Sequence, residues 1–279
     1  MTAAGAAVAE LRGALPWGDA RREVRLLLRA GHVRWLLGLA AALPVAYGAL
    51  LHAGVDGVPL AEQVRGSGAW LGVAALAGCT PLPWAVAVGV LAGPAVAARV
   101  RDGQARTLLG LGMPRRRAVG LAFWPALAAL LLAALVVWGV GTVVGLATSG
   151  GQVPVTLDGR AVGLPAFLGR GLLAAGDLTL VGCGCLALGV FVSTLVDVPV
   201  LAVALAAAVP LLSEAVRVGT GGRWAGLLPT GGWDDPLWLA GLSRPPWGTL
   251  VDHAVVAATW TAGALALAAW RMEHRDLPG

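Results

Sequence analysis

The residue whose type and setting most clearly promise chemistry is Asp177, a lone carboxylate inside the apolar run Gly171 to Val196, with Thr179 two residues on. A charge in hydrocarbon is costly and is usually retained for a purpose such as holding a proton or a cation, so Asp177 is the candidate for a transport pathway. It lies only six or seven residues from the start of that run, shallow enough to face water or to bond a neighbour's backbone. Asp234 and Asp235 stand together, but no histidine or cysteine accompanies them, so no metal site is expected. His32, His52, His253 and His274 all fall near the ends of apolar runs, where interfacial placement accounts for them without ligation. Cys183-Gly-Cys185 lacks C-x-x-C spacing, and small thiols are ordinary in apolar helices. No serine–histidine or carboxylate pair points to catalysis. The chain reads as no enzyme, with no bound cofactor.

One absence narrows the chemistry further. All 20 basic residues are arginine. Without lysine there is no G-x-x-x-x-G-K-[ST] loop to hold nucleotide phosphates and no Schiff-base amine. If the protein runs on ATP, the ATPase is another chain.

These residues are positioned by an unusually apolar chain. Of 279 residues 58% are apolar and 13% charged, with a mean hydropathy of +0.79. Soluble domains carry roughly twice that share of charge. Three cysteines exclude a disulfide scaffold, which leaves an all-α integral membrane protein. Runs of about 20 apolar residues span the hydrocarbon. Six are expected: Trp35–Leu51, Leu76–Ala98 with Trp70 at the interface, Ala118–Ala147, Gly171–Val196, Val198–Leu212 and Val255–Trp270. Gly141, Gly145 and Gly171 are placed to allow close helix packing.

The division that follows is 1–34, an N-terminal segment; 35–270, the six-helix domain; and 271–279, a short tail. With the N-terminus inside, the internal pieces hold 14 arginines and the external loops six, so both termini are expected to be cytoplasmic. In the first segment Asp19 is placed to cap a helix. Arg21, Arg22, Arg25 and Arg29 gather on one side of it, with Val24, Leu27 and Leu28 on another. That pattern suits an amphipathic helix in the headgroup layer. The external loop 214–250, with Trp224, Trp233, Trp238 and Trp247, is expected to dip back against the membrane, with Trp224–Leu228 and Pro236–Leu242 too short to span but open to a re-entrant course, as a gate or as packing on the helix ends.

The internal segment 99–117 carries a family resemblance. It resembles the equivalent segment of the permease subunits of type-2 ABC exporters, which have an N-terminal interfacial helix, six spans and a cytoplasmic connection between spans two and three. Asp102 and Gly103 match its acidic opening, Thr107, Leu108 and Leu109 its middle, and Pro114, Arg115, Arg116 and Arg117 its basic end. The threonine stands four residues after Gly103 instead of beside it. The resemblance implies a membrane-spanning permease that pairs with a second copy or a sister permease and with two copies of a separate ABC ATPase. ATP and magnesium would be held by that ATPase. Residues 99–117, with Arg106 among them, would dock on it, and a drug, lipid or apolar peptide would leave the cytoplasm of a bacterium across its inner membrane. No nucleic-acid partner is implied. Two other classes stay open: an ATP-independent carrier or channel that uses Asp177, and a non-transporting immunity or scaffold component. The orientation is directly testable. A phosphatase reporter fused after Gly279 is expected to be inactive and a fluorescent protein there bright; the reverse pattern contradicts the arginine count.

Overall fold

Helix starts in this chain follow proline. Pro94, Pro165 and Pro199 each occupy the first turn of a helix, where the missing N–H costs nothing. The computed structural model describes residues 24–54, 60–102, 115–233, 236–244 and 246–274. Arg22, Gly103, Arg106, Thr107, Leu108, Leu109 and Pro114 lie outside the described residues, as do the side chains of Arg115 and Arg116. Residues 24–29 are helical. There follow α1 (Gly31–His52), α2 (Ala61–Gly66), α3 (Trp70–Gly78), α4 (Leu82–Ala92), α5 (Pro94–Arg101), α6 (Arg115–Ser149) and α7 (Leu164–Leu195). After these come α8 (Pro199–Gly219), a 3-10 turn Ala225–Leu227, α9 (Pro236–Gly241) and α10 (Trp247–Glu273). Six stretches are long and apolar enough to cross a membrane: α1, α4–α5, α6, α7, α8 and α10. The chain is an all-α membrane protein of six spans, and no strand occurs among the described residues.

The second run departs from the expected single helix over Leu76–Ala98. It breaks at Cys79–Pro81 and again at Gly93, giving α3, α4 and α5. Trp70, expected at the membrane interface, is covered there by the protein itself: it is 1% exposed, packed on Phe167 at 4.9 Å, with its Nε1–H donated to the Val155 carbonyl. The reason for the break is a change of partner. Helix α3 packs on α6, whereas α4 packs on α8.

Glycine sets the first of those contacts. Gly72 meets Gly141, and Gly68 meets Gly145, with backbone against backbone; a Cβ on Gly141 would lie 2.8 Å from the Gly72 Cα. Gly171 of α7 leaves room for the indole of Trp138. Small residues let helices approach this closely in a membrane, where dispersion rather than hydrophobicity holds them together.

The fifth and sixth spans outrun the sequence expectation because their polar residues find partners. Ser213 Oγ and Thr230 Oγ1 share a hydrogen bond of 2.7 Å, and Glu214 and Arg217 pair one turn apart at 2.6 Å. Helix α8 therefore continues to Gly219, and α10 starts at Trp247 rather than Val255. The connection between them shortens to residues 220–246. Exposed Trp247 and Trp270 lie about 35 Å apart along α10, a separation that matches the interfaces of a bilayer with a roughly 30 Å core.

At the end that holds the 150–163 connection, the Asp158 carboxyl is held below the usual carboxylate range by hydrogen bonds from the Ser243 and Thr156 hydroxyls. Arg170 adds bonds to the carbonyls of Leu242 (2.7 Å) and Ser243 (2.8 Å). Together they fasten the 150–163 connection and α7 to the segment after α9.

The close approach predicts a sharp contrast between two glycines of α6. Gly141→Leu is expected to cost about 1–3 kcal/mol by overpacking against Gly72, lowering the thermal midpoint in detergent. Gly139→Ala, where nothing lies within 4 Å of the added methyl, is expected to leave the midpoint unchanged.

Candidate functional site

Asp177 stands 13 residues into α7, roughly 20 Å along the helix from Leu164, and not near its end as the run of apolar residues implied. Its side chain is 0% exposed. Interfacial placement without ligation is expected of all four histidines; His253 has in addition a side-chain partner on another helix. Its Nδ1–H donates to both carboxylate oxygens of Asp177, at 2.9 and 3.1 Å, and its side chain is only 12% exposed. Helices α7 and α10 form the most extensive helix pair among the described residues, and this bond joins them.

The reason sequence missed the pair is that Asp252 and His253 look like loop residues. The Pro245-Pro246-Trp247 start signal places them inside α10, one turn past its first residues. Two polar groups in two long apolar runs were the available clue. His32 and His52 remain exposed near helix ends, and His274 follows α10.

The connection 220–246 completes the site. Its residues 225–233 fold back into the bundle, the re-entrant course of the alternatives. Ala225, Leu227, Leu228, Gly231 and Trp233 satisfy their N–H groups within local turns. The Leu227 carbonyl accepts the Trp260 Nε1–H at 2.8 Å, and the Pro229 carbonyl accepts a long contact from Cys185 Sγ at 3.9 Å. Thr230 and Trp233 are fully buried. Gly232 lies so close to the His253 ring that a Cβ there would overlap it.

Between this connection and the two helices lies a cavity of about 190 Å³, bordered by Leu228, Pro229, Val181, Thr249, Asp252 and His253. Its volume is about that of cavities able to admit a benzene-sized molecule. The wall therefore combines apolar surface, backbone of a glycine-rich turn and one ionisable pair. Chemically, the pair can hold or exchange a proton and can clamp the connection to α7 and α10. No triad of His, Cys, Asp or Glu suited to a metal occurs among the described residues.

The residues expected at the opposite, arginine-rich end form a second surface. Asp102 ends α5 and pairs with Arg101 at 3.1 Å, both exposed, a pair of small energetic weight. Arg117 is half-buried at the start of α6, and the α6 backbone begins at Arg115. Arg25 and Arg29 are exposed on the 24–29 helix, while Leu27 and Leu28 turn inward against the core. Leu26, Leu27 and Ala30 share a groove of about 750 Å³ with Ala98, Arg99 and Asp102 of the α5 end and Leu121 of α6. No protein-family model matches the chain, and no curated protein matches it.

The energetics of the pair can be measured. Removing one partner strands a buried polar or charged group, so Asp177→Ala and His253→Ala are each expected to destabilise the bundle by about 3–5 kcal/mol. Asp177→Asn keeps an acceptor for the Nδ1–H and is expected to lose less. The double alanine variant is expected to lose far less than the sum, as read by thermal unfolding in detergent. Strict additivity would show that the two side chains do not interact.

Proposed function

We propose that the chain is the membrane-spanning permease subunit of an ATP-driven ABC exporter, working with a separate ATPase in a bacterial inner membrane with both termini in the cytoplasm. The observation that carries this reading is the arrangement at the arginine-rich end. The second span leaves the bundle at Arg101–Asp102, the third enters at Arg115, and the helix at 24–29 is braced against both in one groove. That is the arrangement a docking segment needs: a basic connection presented beside a supporting helix. The resemblance at Asp102, Gly103, Thr107, Leu108, Leu109, Pro114 and Arg115–Arg117 points the same way, and the absence of lysine puts ATP hydrolysis on a partner.

On this reading the ATPase engages residues 99–117, and its closure on ATP shifts a balance between two arrangements of the spans. The partner must therefore contact the two arrangements differently. The cargo is hydrophobic or amphipathic, in keeping with walls of Ala, Val, Leu and Gly. The functional permease is a pair, formed by a second copy or by a sister chain.

The Asp177–His253 pair supports a second reading, an ATP-independent carrier in which this pair handles a proton or cation, because the bundle holds a titratable partner for Asp177 after all.

The two readings part in one experiment. A mild-detergent pull-down of the tagged chain from its native host is expected to recover a P-loop ATPase in comparable amount. Reversing charge with Arg106→Glu and Arg116→Glu is expected to reduce substrate-stimulated ATPase activity while leaving the chain in the membrane. A preparation without any ATPase, whose transport is abolished by Asp177→Asn, establishes the carrier instead.

A further inference from the structure

The break at Gly93–Pro94 creates a local shortage that one distant side chain resolves. The first N–H groups of any helix lack partners within it. In α5 these include Val96 and Ala97, and Ser193 of α7 accepts both at 3.0 Å. The same hydroxyl donates to the Gly93 carbonyl at 2.6 Å. One donor and two acceptor positions are thus all used, on a residue that is 0% exposed. Ser193 serves as the cap of a helix almost a hundred residues earlier in the chain.

Two further contacts tie the same unit together. Gly89 and Gly93 bring the backbone of α4–α5 against Val203 and Ala207 of α8, and Gly189 of α7 fits against Ala92 and Ala206. At the far end of α5, Arg99 Nη2 reaches the carbonyl of Leu121 on α6 at 3.5 Å, so this end of the unit also rests on α6. Pro125, inside α6, has no N–H to offer that carbonyl. Above these contacts the chain breaks at Cys79–Pro81, where the backbone bonds are closed locally: Thr80 N and Thr80 Oγ1 to Ala77, and Trp84 N to Cys79. Beyond the break, α3 belongs to α6 through Gly72 and Gly141.

We propose that α4–α5 and the adjoining ends of α7 and α8 form one lever that turns about residues 79–81, with Ser193 as the positioning residue that fixes α5 to α7. The assignment of the lever's input rests on the permease reading, in which the ATPase acts on the segment that follows Asp102. Helix α7 then carries that movement from Ser193 to Asp177, about 24 Å along its axis, and so to the pair that clamps residues 225–233. The lever joins the docking surface to the closure at the other end through a single helix.

Distances between spin labels test this in the whole chain, with Cys79→Ala, Cys183→Ala and Cys185→Ala as background. Labels at Arg101→Cys and Leu195→Cys are expected to give a narrow distance distribution that broadens on Ser193→Ala. Labels at Arg101→Cys and Val143→Cys, which straddle the hinge, are expected to give a broader one that Ser193→Ala leaves unaltered. Should Ser193→Ala fail to fold, Gly189→Ala, whose added methyl would meet the Ala92 Cβ at 2.7 Å, pushes α7 from α4 and is expected to broaden the first pair. With captured ATPase and a non-hydrolysable ATP analogue, the first distance is expected to hold while the second shifts. A first pair as broad as the second, or unmoved by Ser193→Ala and Gly189→Ala, overturns the lever. A rigid first pair in a chain that captures no ATPase upholds the lever and removes only the assignment of its input.

Discussion

Inside hydrocarbon there is no water to bond an open backbone group, so every interruption of a helix must be closed by the protein itself. This single constraint explains most of what is irregular in the bundle. The break at Cys79–Pro81 closes on its own neighbours, and the break at Gly93–Pro94 closes on Ser193. The carbonyl that Pro125 cannot serve is met by Arg99. In the segment 225–233 the N–H groups of Ala225, Leu227, Leu228, Gly231 and Trp233 close in turns, and the carbonyl of Leu227 is handed to Trp260. Apart from the locally closed break at Cys79–Pro81, each of these irregularities is tied to a named side chain of another span.

The Asp177–His253 hydrogen bond belongs to the same logic. A carboxylate without a partner at that depth would be prohibitive, and the histidine that answers it stands on the helix α10, which also supports the inward-folded connection. The pair therefore does two things at once: it joins α7 to α10, and it forms the wall against which Gly232 rests. With α7 fixed to α5 at Ser193, the two functional surfaces become opposite ends of one element. On the permease reading, that gives ATP-driven movement at the docking segment a direct route to the external closure.

The span count, the all-α class and the packing role of Gly141, Gly145 and Gly171 were legible in the sequence, because run length and small-residue placement depend on local composition. The turn at Asp197 was legible too, for Pro199 marks the restart. What escaped were features that depend on partners far away in the chain. Nothing local to Trp70 shows that Val155 and Phe167 cover it. Ser213 and Glu214 look like a loop until Thr230 and Arg217 satisfy them. His253 looks like an end-of-span histidine until α10 is seen to begin at Trp247. In each instance the local pattern was read correctly as polar or amphipathic, and the long-range bond that changes its meaning has no local signature.

Residues 225–233 form part of the helical bundle and not a loop outside it. The most direct test of this is the depth of a spin label at Leu227→Cys, a position 62% exposed and so tolerant of the label, in the chain reconstituted in lipid bilayers. Collisional relaxation by oxygen and by a water-soluble nickel chelate reports how far the label lies from the aqueous phase. The account predicts strong oxygen and weak nickel contact, comparable with a label at Thr259→Cys near the middle of α10. Strong nickel contact, comparable with a label at Trp247→Cys, would contradict it.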